Sequence, residues 1–260
     1  MTAQQVTIAV LGLGEAGGHI SADLVRAGAR VRGYDPRVAA PPGVHDTKSA
    51  AEACGGAELV LSLNSAADAP DALAEGVPGC APGTLWADLN TASPGEKQAL
   101  DEASAGRVRV VDVALMSPVP GHGLFTPMTA SGPAAQAYAD MLRPLGADVD
   151  VLDGPVGSAA THKLLRSVFY KGLAAAVLEA TAAARAAGLA DWLRDNITAE
   201  LVRADEATLQ RLLTGSKTHA VRRIHEMEAA ERLLDDLGVA PRVTRASRDW
   251  LADLAAGAEP

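Results

Sequence analysis

The chain has 260 residues, 48% of them hydrophobic and 21% charged, with a formal net charge of -9. That length allows one large domain or two smaller ones with buried cores, and the acidic balance, with no run of Lys or Arg against it, excludes nucleic-acid and membrane-surface partners from the expectation. Met1–Val10 lacks the basic stretch, apolar core and cleavage site of a secretory leader, and no segment approaches the length that spans a bilayer, so a cytoplasmic protein is expected. Cys54 and Cys80 are too few for a disulfide framework and have no partners at metal-ligand spacing. Both read as reduced, structural thiols, and no metal is expected.

From Val6 to about Leu152, short β-branched runs alternate with Ala-rich amphipathic stretches, the pattern of βαβ units around a parallel sheet. The predicted strands are Val6–Leu11, Arg30–Tyr34, Leu59–Leu63, Thr84–Asp88 and Val108–Val113, with Val38–Val44 a Pro-rich loop. Met128–Ser131 and Asp148–Leu152 extend the sheet and flank a helix opened by Pro133. After the turn Asp153-Gly154-Pro155 the strand signals stop. A long helix then runs from about Gly157 to Ala187 and ends at Gly188, and shorter ones are expected at Asp191–Ala204, Asp205–Leu213, Lys217–Leu237 and Pro241–Ala255. The predicted architecture is an α/β Rossmann domain with a doubly wound parallel sheet over 1–154, followed by an all-α domain over 155–260. Several short amphipathic helices in so small a domain leave apolar faces without partners, which predicts a homodimer formed through the helical part.

Gly12-Leu13-Gly14-Glu15-Ala16-Gly17 follows an apolar strand directly and opens a helix. Glycines at this spacing give a tight turn and let a pyrophosphate approach backbone amides at a helix N-terminus. Asp35 ends the second strand, where a carboxylate accepts hydrogen bonds from the hydroxyls of an adenosine ribose and repels a 2′-phosphate. NAD is therefore the expected cofactor, with Arg37 two residues on keeping NADP open.

Together with later segments, this loop resembles the β-hydroxyacid dehydrogenases, a family that includes 3-hydroxyisobutyrate and 6-phosphogluconate dehydrogenases and is related to imine reductases. The opening Val10-Leu11-Gly12-Leu13-Gly14-Glu15-Ala16-Gly17 is similar to the family's first motif, with Ala16 where a Met is usual. Leu63-Asn64 and Asp88-Leu89-Asn90-Thr91-Ala92-Ser93-Pro94 are similar to segments that lie beside the nicotinamide, so the resemblance implies cofactor contacts from Asn64, Asn90 and Thr91. Ser93 and Pro94 also read as a helix cap.

Asp112-Val113-Ala114-Leu115-Met116-Ser117-Pro118-Val119-Pro120-Gly121 corresponds to the family's substrate loop but departs from it. Met116 replaces a substrate-binding Ser, and Ser117-Pro118 replace paired glycines whose amides hold a carboxylate; Pro118 has no N–H to give. Met116 and Ser117 are taken as substrate-site residues, and His122 is a further candidate for that polar role, although a lone loop His is more often simply exposed.

Gly157-Ser158-Ala159-Ala160-Thr161-His162-Lys163 resembles the family motif whose Lys is the general acid/base, which implies that role for Lys163. Ser167 stands four residues on where the family has an Asn. Lys163, Ser167, Tyr170 and Lys171 share one side of the predicted helix, and Ser167 and Tyr170 are carried as substrate contacts. The helical part looks most like a little-characterised branch with a phosphogluconate-dehydrogenase-like C-terminal domain. There His219, Arg222 and Arg223 read as an anion site, a dimer contact or a solvated basic face.

These features predict an NAD(P)-dependent oxidoreductase acting on a small hydroxy or keto compound in the cleft between the domains. Two alternatives accompany that reading: an imine or ketone reductase, and a non-catalytic dinucleotide-binding sensor.

Overall fold

The computed structural model describes residues 5–258. An eight-stranded sheet in the order β3-β2-β1-β4-β5-β6-β7-β8 forms the centre of the N-terminal part. Its strands are β1 (Thr7–Leu11), β2 (Arg30–Tyr34), β3 (His45–Asp46), β4 (Leu59–Ser62), β5 (Leu85–Asp88), β6 (Arg109–Leu115), β7 (Met128–Ser131) and β8 (Val149–Val151). All neighbouring pairs are parallel except β6 and β7. Side chains alternate between two apolar layers: Ile8, Val10, Leu59 and Leu61 join one core, and Ala9, Leu11, Val60 and Trp86 join the other. On these faces lie α1 (Glu15–Arg26), α2 (Ala50–Cys54), α3 (Ala69–Gly76), α4 (Pro94–Ser104) and α5 (Ala135–Leu142).

The strand expectations match to within about two residues at each end, the uncertainty inherent in assigning element ends. The short β3 and α2 carry too few residues for a periodic signal and were not anticipated. α2 nevertheless has a local cause: Ser49 Oγ accepts from Glu52 N at 3.1 Å and starts the helix.

Five helices follow: α6 (Ser158–Ala186), α7 (Ala190–Arg203), α8 (Glu206–Thr218), α9 (Ala220–Asp236) and α10 (Arg242–Ala255). One correction concerns the α8–α9 boundary, predicted near residues 214–216 and found at His219. Asp205 caps α8 by accepting from Thr208 N at 2.8 Å, and Gly215 stays helical, its carbonyl accepting from His219 N at 3.1 Å. A single interior glycine costs only about 1 kcal/mol, less than continuous hydrogen bonding returns.

Two compact units result, one running to Arg166 and one from Ser167 onwards. The first turns of α6 fall with the sheet because they are hydrogen-bonded to it, as described below. In the second unit Glu179 accepts from Val243 N, Thr244 N and Thr244 Oγ at 2.7–2.8 Å, which joins α6 to the start of α10. α7 and α8 bury no residue. Among the described residues, no helix is long and apolar enough to cross a membrane.

Candidate active site

The strand order reverses at β1, which has β2 on one side and β4 on the other. Beyond the carboxyl ends of these strands opens a cleft of about 740 Å³, lined by Gly12, Gly14, Asp35, Arg37, Leu63 and Asn64 among others. This is where open α/β sheets hold ligands. Gly12 has φ +93°, and a β-carbon there would lie 2.4 Å from Leu63 O. On Gly17 it would lie 1.9 Å from Gly12 O, so α1 can approach the loop only as glycine. At Gly14, the N-cap of α1, a β-carbon would meet nothing within 4 Å, and no side chain caps the helix. The first amides of α1 are thus unclaimed by a cap at the cleft, an arrangement that fits a pyrophosphate. Leu13, Glu15 and Ala16 supply the rest of that turn.

Asp35 braces the loop. Its Oδ2 accepts from Leu13 N at 2.9 Å, and its Oδ1 accepts from Arg37 N and Val38 N at 2.8 and 3.0 Å. A carboxylate has about four acceptor positions, so ribose hydroxyls still find a place on it. The cleft wall is acidic, with Asp68, Asp71 and Glu75 beside Asp35, and Arg37 lies 3.7 Å from Asp68.

Further along the sheet, the register sets Ser62, Asp88, Asp112 and Ser131 side by side across β4, β5, β6 and β7. Lys97 of α4 enters this row. Its ammonium is 2.6 Å from Asp88 Oδ2 and 3.4 Å from Asp112 Oδ1, and donates to the Asp88 carbonyl at 2.8 Å. All three side chains are at most 2% exposed. Asp112 Oδ2 then accepts from Ser131 Oγ at 3.2 Å, Gly157 N at 3.0 Å and Ala160 N at 2.9 Å, while Ser131 Oγ accepts from Ala159 N at 2.9 Å. The N-terminus of α6 is therefore capped by a strand carboxylate. Two buried carboxylates face one ammonium, and the positive end of α6 with its amides supplies the remaining compensation.

Lys163 lies on the second turn of that helix. Burial, followed by the Lys97 charge, holds its ammonium below the ordinary lysine range, against a smaller pull from Asp112. Ser167 and Tyr170 follow on α6 in the second unit, Ser167 half-buried and Tyr170 exposed.

Asn90 is buried and its Nδ2 is committed to the protein, donating to Ser62 Oγ at 3.2 Å and to Asp88 Oδ1. What it can offer a ligand is its carbonyl oxygen. Asn64 Oδ1 accepts from Ser62 Oγ at 2.8 Å and lines the cleft, and Thr91 is exposed. Ser93 caps α4 through a reciprocal box with Glu96, and Pro94 occupies the first helical position.

The loop after β6 is closed by Met116 N donating to Pro127 O at 2.8 Å. Met116 and Ser117 are half-buried in it and His122 is exposed. Its far end is tied to α1, where Leu124 N donates to the buried Asp23 Oδ2 at 2.8 Å.

Sequence reasoning missed Lys97 and Asp23. Lys97 had a signal: it shares a helical stripe with Leu100 and Ser104, at i, i+3 and i+7, an apolar face where a solvated Lys does not belong. Asp23 had none, since its partner is 101 residues away in the chain. Among the described residues, no cluster of His, Cys, Asp and Glu could hold a metal.

Residues 7–122 match a family model described as the NAD binding domain of 6-phosphogluconate dehydrogenase. Residues 184–254 match a domain of unknown function, DUF1932. A curated relative, an uncharacterised 28.5 kDa protein from Methanothermus fervidus, is 26% identical over 169 residues, and the match spans 64% of this chain and 64% of that protein's length. Among solved structures, a conserved hypothetical protein from Sinorhizobium meliloti 1021 is 27% identical, with a TM-score of 0.63 over 99% of this chain and 91% of that one. A reductive aminase from Aspergillus terreus, solved with NADPH and ethyl levulinate, is 18% identical, with a TM-score of 0.81 over 98% and 95% of the two chains.

Removing Lys97 tests the buried row. Lys97→Met should lower stability by about 3–5 kcal/mol at neutral pH, because two carboxylates stay buried without a counter-charge. Urea unfolding at neutral pH reads the loss, and a midpoint equal to that of the wild type would overturn the assignment.

Proposed function

The chain joins a 6-phosphogluconate dehydrogenase-type NAD-binding domain to a DUF1932 helical domain, and from this pairing we infer an NAD(P)-dependent oxidoreductase that acts on a small hydroxy or keto compound. The observation that carries the reading is the cradle of Gly12 and Gly14 opening on the switch-point cleft, with Asp35 at its edge. A sensor could share that cradle, but a half-buried lysine of lowered pKa beside a buried ion network is an arrangement suited to proton transfer.

The roles divide among the chain's own groups. Gly12 N and Leu13 N are already committed to Tyr34 O and Asp35 Oδ2, so the amides at the α1 N-terminus, from Gly14 to Ala16, would hold the pyrophosphate, Asp35 the ribose hydroxyls, and Asn64, Asn90 and Thr91 the nicotinamide end. The bound dinucleotide supplies the hydride donor or acceptor. In the oxidative direction Lys163 Nζ takes the proton of the substrate hydroxyl, and in reduction its ammonium returns a proton to the carbonyl oxygen. Met116, Ser117, Ser167 and Tyr170 are assigned to substrate contact. A second reading, reduction of an imine, is favoured by one feature of the substrate loop: Ser117-Pro118 lacks the amide pair that would bind a hydroxyacid carboxylate. Turnover of cyclic imines but not hydroxyacids would select it.

Lys163→Met should reduce turnover by roughly a hundredfold to ten-thousandfold, with NADH affinity nearly unchanged. The wild-type pH profile should show the same group. Since the lowered pKa makes the free amine available below the ordinary lysine range, oxidation rises and reduction falls as pH passes through it. That limb should vanish in the variant. Near-wild-type turnover of Lys163→Met would remove it from the mechanism, and NADH binding without turnover of any substrate in a broad screen would favour the sensor.

NAD should bind more tightly than NADP, because the 2′ position would face Asp35 and an acidic wall. Asp35→Ser should weaken NAD and improve NADP, with Arg37 serving the phosphate. Equal affinities of the wild type in a fluorescence titration would refute this preference.

The protein should also be a homodimer joined through its helical unit. An apolar groove of about 390 Å³ there is lined by Ala180, Ala184, Trp192, Leu233 and Leu234, and Leu189, Leu201 and Leu212 are exposed. Helices that bury no residue of their own need a second apolar surface, and a copy of the same unit supplies it. Sedimentation as a monomer at micromolar concentration would overturn the assignment.

A further inference from the structure

Cys54 and Cys80 are the two cysteines of the chain. Cys54 ends α2 and is fully buried, whereas Cys80 follows the 3-10 turn Val77–Gly79 after α3 and is partly exposed. Their sulfurs flank one residue, Gly76. Cys80 Sγ donates to the Gly76 carbonyl at 3.6 Å, and a β-carbon on Gly76 would stand 3.2 Å from Cys54 Sγ. The backbones are equally close, since a β-carbon on Gly79 would meet Ala51 O at 2.0 Å. Only glycine lets the turn lie against α2.

The two thiols lie beside the same residue, and they are unequal. The neighbouring Cys80 thiol and burial push the Cys54 thiol up, while the Cys54 thiol and the Arg107 charge hold Cys80 below its usual value. Thiolate character and access therefore coincide at Cys80, and the buried Cys54 has neither.

We propose that Cys54 and Cys80 are a modification site that closes to a reversible intramolecular disulfide, Cys80 attacking and Cys54 resolving, and that the bond staples α2 to the end of α3 beside the dinucleotide cleft. Ala50 at the start of α2 and Asp71, Ala72 and Glu75 of α3 line that cleft, so the staple fixes one of its walls. The oxidant is a small-molecule disulfide of the glutathione kind. The Cys80 thiolate attacks one of its sulfurs, forming a mixed disulfide and expelling one thiolate, which takes up the proton Cys80 had lost. Cys54 Sγ then attacks Cys80 Sγ, and its proton passes to the second thiolate as that leaves. Two protein thiols are oxidised and one small disulfide is reduced to two thiols.

The test uses the full chain treated with oxidised glutathione and then with dithiothreitol. The intact mass should fall by two hydrogens with no glutathione attached, and both thiols should disappear from a titration in denaturant and return on reduction. The thermal midpoint of the oxidised form should rise by roughly 5–10 °C, because the cross-link restricts the unfolded chain. Cys54→Ala should stop with one glutathione on Cys80, and Cys80→Ala should take up none. Persistence of both thiols, retained glutathione on the wild type, or a covalent link to a second chain overturns the proposal. An unchanged or lower midpoint with the disulfide formed overturns the staple. Should either variant fail to fold, the wild-type mass and thiol count decide alone.

Discussion

A single ammonium between two buried carboxylates sets the terms for the rest of this molecule. Lys97 lies against Asp88 and Asp112, which the β5–β6 register makes neighbours. Burying a carboxylate without a partner costs several kcal/mol, a cost the Lys97 ammonium offsets for both acids. Asp112 keeps its Oδ2 to receive the amides of Gly157 and Ala160. The sheet, α4 and the first turn of α6 thus meet at one point of compensated charge.

The same row explains a division of labour at the carboxyl ends of the strands. The β1–β4 side of the sheet is built from glycine and backbone, surfaces that offer donors and no bulk. The β5–β7 side is built from charged side chains in hydrogen-bonded contact, and it carries the helix on which Lys163 is found. Ser62 and Asn90 connect the two, Ser62 Oγ donating to Asn64 and accepting from Asn90. Nearly every polar group along this line has a protein partner, so the line is rigid before any ligand arrives.

Much of the architecture was legible because its signals are local. β1, α1 and β2 follow from an apolar run, a glycine turn and a second run closed by Asp35, and each adjacent segment supports the others. α6 is legible for its length and its terminal Gly188. β3 and α2 were not, since two and five residues cannot show a period. The α8–α9 junction was misplaced because Gly215 looks like a stop, and only the unbroken hydrogen bonds around it say otherwise. In the site, Gly12, Gly14 and Asp35 could be named because turn and strand-end chemistry is written in neighbouring residues. Asp112 could be named only as part of a motif, because its work as a helix cap joins residues 45 and 48 positions apart. Contacts of that span leave no trace in periodicity.

The loop after β6 is held at both ends, by the Met116–Pro127 backbone bond at its base and by Asp23 of α1 gripping Leu124. Between these anchors Val119 packs into the apolar core and its carbonyl receives the amides of His122 and Gly123, while Pro118, Pro120, Gly121 and His122 stay exposed. The segment is thus pinned at three points and free at its surface: exchange of the exposed residues costs folding little, whereas a polar side chain at 119 would loosen the whole span.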